Sequence, residues 1–255
     1  MSDIHIKSEA EIGIMAESGR KLAKVLKILA NETKIGVKLI DLENLSRELI
    51  KKEDAIPAFL NYRPEGAVKA YPFSLCASVN SVIVHGQPSG YEIKDGDLIK
   101  LDLGLVYKGF CSDSALTIGV GKISPIARKL MEVTKKSLNE AIKQAKPGRA
   151  LGDIGWAIEK AAKENGFSVA DGLTGHGIGR ELHEEPVVYN FGNPNEGLKL
   201  KEGMVIAIEP MINAGRGRIK ELKDESYATF DGALSAHFEH TVAITKNGPK
   251  ILTAF

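Results

Sequence analysis

Lys94-Asp-Gly-Asp-Leu-Ile-Lys-Leu-Asp102 and Lys201-Glu-Gly-Met-Val-Ile-Ala-Ile-Glu209 share one pattern: a turn glycine, an apolar run, and an acid at the same place. Each reads as a turn feeding a β-strand whose end carries a carboxylate. The likeness extends outward in order. Lys34-Ile-Gly-x-x-Leu39-x-Asp41-Leu42 matches Lys146-Pro-Gly-x-x-Leu151-x-Asp153-Ile154, and His85-Gly-Gln-Pro88 matches His183-Glu-Glu-Pro186. Cys111-Ser-Asp113-Ser-Ala-Leu matches His237-Phe-Glu239-His-Thr-Val. Chance easily gives one such match, but not four in register. The chain is therefore expected to be one domain, residues 1–255, of two similar halves (about 6–124 and 125–251) facing a shared site. The expected class is α/β (α+β), with two helix-helix-strand halves around a central antiparallel sheet.

The pattern between the matches agrees. Apolar residues recur at helical spacing over Glu9 to Ala30, and a second helix is expected from Asp41, its N-cap, to Lys52. Helices are also expected over Pro125–Ala145, stopped by Pro147-Gly148, and over Asp153–Asn165. Strand-rich segments are Ser74–Val84, Asp97–Val106, a strand through Ile118 after Tyr107-Lys108-Gly109, Met204–Glu209 and Phe238–Thr245. The chain has 255 residues, 43% apolar and 26% charged, with a formal net charge of +1. That excludes disorder and a basic nucleic-acid binder. No run is long and apolar enough for a membrane span, and Met1 to Glu11 lacks the apolar stretch of a signal peptide. Two cysteines, Cys76 and Cys111, fit a reducing compartment, so a cytoplasmic location is expected.

The repeat also sorts the chemistry. Asp102, Asp113, Glu209 and Glu239 lie on apolar strands at positions the repeat pairs, with Asp102 and Asp113 close across a hairpin. Carboxylates crowded on buried strands repel one another and raise each other's pKa. Bound dications remove that repulsion, and two sharing carboxylates do so better than one. Any one of these acids, taken alone, reads best as a solvated strand residue. Four at related positions favour metal. His176, in Gly175-His-Gly-Ile-Gly, becomes the expected nitrogen ligand, and His85 and His183 should flank the site as a matched pair. The glycines around His176 lack dinucleotide-fold spacing, and Cys111 reads as a small buried apolar residue.

With those residues assembled, the chain resembles the methionine aminopeptidase family. The motifs are Gly175-His-Gly-Ile-Gly-Arg-Glu-Leu-His-Glu-Glu-Pro186, Ile208-Glu-Pro-Met211 and Ser235-Ala-His-Phe-Glu-His-Thr241, with Asp102 and Asp113 placed as in that family. The likeness runs from Ile6 to about Ile251, in the short type I form. It implies the pseudo-two-fold "pita-bread" fold and two divalent ions, whether cobalt, manganese, iron or zinc. By the same resemblance, Asp102 holds one ion, His176 and Glu209 hold the other, and Asp113 and Glu239 bridge both. His85 and His183 match substrate-side histidines, while Tyr71 and Cys76 match the methionine pocket, with Tyr62 and Leu182 nearby. The chain departs from the family in having His237 where Gln is usual. It also has a longer Arg63–Ala70 segment and no tryptophan near Tyr227.

The implied activity is removal of N-terminal methionine before a small second residue. A water shared by the metals attacks the carbonyl, Glu209 moves its proton, His183 steadies the oxyanion and His85 the scissile amide. Nascent polypeptide N-termini are the expected partners, with the ribosome a candidate; no specific nucleic acid and no membrane are expected, and a monomer is expected. Two rivals stand beside this reading: an Xaa-Pro peptidase of the same fold, and a non-catalytic binding relative, which would ordinarily lose ligands.

Overall fold

Ser8 starts the first helix by a reciprocal cap. Its hydroxyl accepts from the Glu11 backbone N–H at 3.3 Å, and the Glu11 carboxylate accepts from the Ser8 N–H at 2.9 Å. The computed structural model describes residues 4–63 and 68–254. Helices α1 (Glu9–Glu32) and α2 (Leu39–Lys52) open the chain. Strands β1 (Ile56–Pro57), β2 (Leu75–Val79), β3 (Val82–Val84), β4 (Leu98–Tyr107) and β5 (Phe110–Gly119) follow. A second helix pair, α3 (Pro125–Gln144) and α4 (Leu151–Glu164), leads into β6 (Ser168–Val169), β7 (Thr174–Gly177), β8 (Glu184–Tyr189) and β9 (Val205–Ile208). Then come β10 (Met211–Asn213), β11 (Ile219–Glu221), β12 (Tyr227–Thr229), β13 (Ser235–His237), β14 (His240–Thr245) and β15 (Gly248–Ile251). Residues 64–67, within the long Arg63–Ala70 segment, lie outside the described residues.

Two expectations need correction. Asp41 is not the N-cap of α2: the helix begins at Leu39 with Lys38 as its cap, and Asp41 sits in the first turn. Its carboxylate still favours that end through the helix dipole. The strand expected over Phe238–Thr245, β14, starts at His240, because the Glu239 N–H leaves the ladder to pair with Ala115 O on β5.

The repeat reappears as matched hydrogen bonds. Gly36 N–H donates to Ile93 O and Gly148 N–H to Leu200 O; Leu39 N–H donates to Tyr91 O and Leu151 N–H to Leu198 O. Gly36 and Gly148 have φ of 85° and 84°, a left-handed turn that glycine adopts without steric cost. Each half thus ties its second helix to the segment that leads into its acid-bearing strand, β4 in the first half and β9 in the second. In the first half, β1, β2, β4 and β5 form an antiparallel sheet; in the second, β15, β14, β9, β7 and β8 form another. Alternation along the strands sorts the side chains. Leu101 and Leu103 pack with Leu22, Leu26 and Leu42 of the helices, and Ile206 and Ile208 pack with Leu138, Ile154 and Ile158. Asp102 and Ala207, on the opposite faces, are left to the space between the halves. A further apolar cluster joins Met15, Cys76 and Phe110 to Ile178, Val205 and Ala243.

The sheets meet where β5 runs beside β14, and hydroxyls make the seam. Thr241 Oγ1 accepts from Asp113 N–H at 3.0 Å and donates to Asp113 O at 2.8 Å. Ser114 Oγ donates to Glu239 O at 2.8 Å, and Thr117 Oγ1 donates to His237 O at 2.7 Å. The Asp113 and Glu239 backbones are therefore fixed by bonds that cross from one half to the other. Thr241→Val, nearly isosteric, strands two buried backbone groups. It should lower unfolding free energy by about 1–3 kcal/mol, read from urea unfolding of metal-free protein; an unchanged midpoint would remove the seam from the account of stability.

Candidate active site

An open cavity of ≈ 1660 Å³ lies between the halves, and Asp102, Asp113, His176, Glu209 and Glu239 all line it. Register explains how they meet. Asp102 pairs with Ala115 and Gly104 with Asp113, so the two aspartates are diagonal neighbours on one face of the β4–β5 hairpin. His176 and Thr241 both pair with Ala207 of β9. Glu209 lies two residues beyond Ala207, on the same face. His240 pairs with Ile208, so Glu239 and Glu209 leave that ladder side by side. His176, flanked by glycines, is on the short strand β7.

Ligand atoms of Asp113, His176 and Glu239 lie within 4.8 Å of one another. His176 Nε2 is 3.6 Å from Glu209 Oε1 and 4.0 Å from Asp113 Oδ2. Asp102 Oδ1, Asp113 Oδ1 and Glu239 Oε1 are buried with no hydrogen-bond partner. Other buried acids are treated differently. Glu43 accepts from the Ser74 and Leu75 N–H groups and pairs with Arg47. Asp97 accepts from Asn80, Tyr91 and the Lys94 N–H. Among the acids of the described residues, those of the cavity are the ones left with buried oxygens that no donor satisfies, as a cation site requires. His176 Nδ1 is 2.8 Å from Gly177 O. As donor to that carbonyl it keeps the proton on Nδ1 and turns the Nε2 lone pair toward the acids. The set fits divalent metal.

Electrostatics follows from the same crowding. Burial, with repulsion from Glu209 added, raises Asp102 to about 7; burial likewise raises Glu209 to about 7. Asp113 and Glu239 are pushed well above the usual carboxylate range, by burial first and then by neighbouring acids. Burial lowers His85 to about 4 and His183 to about 3, so both are neutral imidazoles at pH 7. Both line the cavity. The His183 ring stands edge-on to His176 at 4.4 Å, and the His85 ring sits 5.8 Å from that of Tyr227.

Tyr71 and Cys76 also line the cavity, as do Tyr62 and Leu182. The Tyr71 hydroxyl lies 3.0 Å from the carbonyls of both Leu75 and Gly86, which ties β2 to the segment carrying His85. Cys76 pairs with Asp102 across β2–β4. Phe59 belongs to the same apolar wall and was not singled out in the sequence, where it follows no periodic pattern. The signal lay elsewhere, in Gly104: a Cβ there would stand 2.8 Å from the Phe59 ring, so a strand position without a side chain makes room for it. His5 also lines the cavity, its Nε2 3.9 Å from Glu11 Oε1. His237 is buried, its Nε2 3.4 Å from Glu209 Oε2, and neither ring nitrogen has a hydrogen-bond partner. Among the described residues, no helix is long and apolar enough to cross a membrane.

A fold of two pseudo-symmetric halves closing on a carboxylate-rich metal site defines a metallopeptidase, and the chain belongs to metallopeptidase family M24, which it matches over residues 13–246. It is 45% identical to the methionine aminopeptidase of Clostridium perfringens over 251 residues, 98% of each chain. The crystal structure of methionine aminopeptidase from Thermotoga maritima matches with a TM-score of 0.94 at 39% identity, covering 99% of this chain and 100% of that one. Prolidase from Pyrococcus furiosus shares the fold at a TM-score of 0.79 and 26% identity, over 98% of this chain and 65% of that one.

A carboxyl whose pKa is raised on folding favours the folded state below its unfolded value, and that advantage is lost as pH rises through the folded value. For Asp102 and Glu209 the window runs from about 4 to about 7. Metal requires the deprotonated acids, so it should restore stability where the metal-free protein has lost it. The rise in melting temperature on adding manganese to stripped protein should be larger near pH 7.5 than near pH 5. The histidines lowered by burial, His85, His183, His237 and His240, act in both forms and cancel in this difference. An equal rise at both values would show that the acids do not bind the metal.

Proposed function

We propose that this chain is a methionine aminopeptidase that removes the first residue from proteins and peptides beginning with methionine and carrying a small second residue. The observation that carries the reading is the direct adjacency, in one cavity, of unsatisfied buried carboxylates and an apolar recess. That arrangement places hydrolytic chemistry one residue from a site for an unbranched hydrophobic side chain. Whole-length similarity to methionine aminopeptidases supports the same substrate. Two divalent ions would be held by Asp102 on one side and by His176 and Glu209 on the other, with Asp113 and Glu239 shared. The oxygen-rich set suits manganese or iron, with cobalt and zinc also accommodated. When bound, divalent ions supply Lewis-acid polarisation and bring the ionisation of water toward neutral pH.

The chain's own groups supply the rest. Tyr71, Cys76, Phe59 and Leu182 receive the methionine side chain, and Tyr71, anchored to two backbone carbonyls, keeps that wall in place. His183 donates to the carbonyl oxygen as it gains charge, and His85 holds the scissile amide. Both are neutral, so each offers one N–H and one lone pair without placing a second cation near the metals. Glu209 accepts a proton from the attacking water and returns it to the leaving amine. The substrates are nascent polypeptide N-termini, and we place the enzyme in the cytoplasm.

The reading is tested with metal-loaded protein on Met-Xaa-Ser tripeptides and on Xaa-Pro peptides, compared by kcat/KM. Met-Ala-Ser should be cut, Met-Leu-Ser and Met-Lys-Ser largely refused, and Xaa-Pro peptides cut poorly. Equal rates on Met-Lys-Ser would remove the narrow second position, and preference for Xaa-Pro bonds would replace the reading by the prolidase one. Replacing His85 or His183 by Ala should lower turnover roughly 10²-fold or more with metal content unchanged by elemental analysis. Metal loss in His183→Ala matching that in His176→Ala would show His183 to be a ligand.

A further inference from the structure

Two imidazoles stand side by side at the centre of the cavity. The ring of His176 lies 4.4 Å from that of His183, at 86°. Each has its Nδ1 against a partner, and the partners differ in polarity. His176 Nδ1 faces the Gly177 carbonyl, which only accepts, so the proton must sit on Nδ1. His183 Nδ1 faces the hydroxyl of Tyr62 at 2.7 Å. A phenol is the better donor of that pair and an imidazole lone pair the better acceptor, so the hydroxyl gives its hydrogen to Nδ1. The proton of His183 is then left on Nε2. Burial raises the Tyr62 phenol further above its ordinary value, which keeps its hydrogen in place.

The backbone beneath His183 is held by other means. Lys7 Nζ pairs with Glu184 Oε2 at 2.6 Å, and Glu184 Oε1 accepts from the backbone N–H groups of Arg180 (2.8 Å) and Glu181 (3.2 Å). Tyr62 therefore has only the ring to fix. Its own ring meets that of His183 edge-on, with centroids 5.1 Å apart and planes at 71°. We infer that Tyr62 is a positioning residue that holds His183 in the Nε2–H tautomer, opposite to that of His176, so that one imidazole offers a lone pair and its neighbour a donor. The catalytic consequence rests on the reading of His183 as donor to the substrate carbonyl; the tautomer assignment does not.

The test uses long-range ¹⁵N–¹H correlation on full-length protein, both zinc-loaded and metal-free, together with Met-Ala-Ser kinetics of the metal-loaded enzyme. Wild-type protein should show His183 protonated on Nε2 and His176 on Nδ1. Tyr62→Phe keeps the ring and removes the hydroxyl. It should shift His183 toward a tautomer mixture, leave His176 unchanged, and lower kcat by about 10- to 100-fold with KM nearly unaltered. An Nδ1-protonated His183 in the wild type overturns the inference. So does a Tyr62→Phe variant that keeps the Nε2–H form, whatever its rate, since Tyr62 would then be only pocket wall. A tautomer change without loss of kcat overturns the positioning role. If the wild type cut no methionine peptide, the proposed function would fall, while the spectra would still decide the tautomer.

Discussion

Burying a carboxylate without a partner is among the costliest things a small domain can do, and this fold does it repeatedly in one place. Asp102, Asp113 and Glu239 each present a buried oxygen to which no protein group donates. Elsewhere the chain shows that it can satisfy a buried acid completely: Glu43 has two backbone N–H groups and Arg47, and Asp97 has an amide, a phenol and a backbone N–H. The missing donors in the cavity therefore reflect selection of the site and no general failure of packing. Positive charge from outside the chain is the partner that the arrangement lacks, and it is what a metallopeptidase of this family uses.

The two halves meet that requirement jointly. Asp102 and Asp113 come from one hairpin, His176, Glu209 and Glu239 from the other sheet, and neither half can assemble the set alone. Precision then depends on the seam, where Ser114, Thr117 and Thr241 replace a continuous backbone ladder with hydroxyl bonds to backbone atoms. Those bonds fall on Asp113, Glu239 and His237 themselves. Lys100 adds a further link, its buried Nζ donating to Asn80 O at 2.6 Å and to Ser235 O at 3.4 Å. The acids repel one another, and the seam is the framework that keeps them together against that repulsion.

The repeat made the fold legible because its turn glycines and helix starts are local signals that the tertiary bonds reuse: the aligned leucines, Leu39 and Leu151, begin α2 and α4. Asp41 misled as an N-cap because cap preference is a local propensity, and here the bonds from Leu39 N–H to Tyr91 O and Ile40 N–H to Ser89 O set the start of the helix. The acids could be read from the sequence because strands with carboxylates among apolar residues are rare. Phe59 could not, because its place depends on a glycine 45 positions later leaving room across β4. Nor could the Tyr62–His183 bond be read, because it joins residues 121 apart and only the closed halves bring them together.

His85 shows how the scaffold is bent to serve the site. It has φ of 59°, a left-handed conformation that residues with a Cβ adopt at some energetic cost. Its neighbour Gly86 explains how the bend is held. Gly86 N–H donates to Ser78 Oγ at 3.0 Å, and its carbonyl accepts from Ala77 N–H at 2.8 Å and lies 3.0 Å from the Tyr71 hydroxyl. A Cβ on Gly86 would stand 2.7 Å from Ala77 O, so only glycine lets the chain lie this close to β2. The segment is thus stitched flat against the strand that carries Cys76, and the strained residue before it turns its imidazole into the cavity beside Tyr227. Tyr71 contributes to both tasks at once, forming the apolar recess with its ring and holding the His85 segment with its hydroxyl. The wall of the apolar recess and the placement of the His85 imidazole are thereby coupled through one phenol.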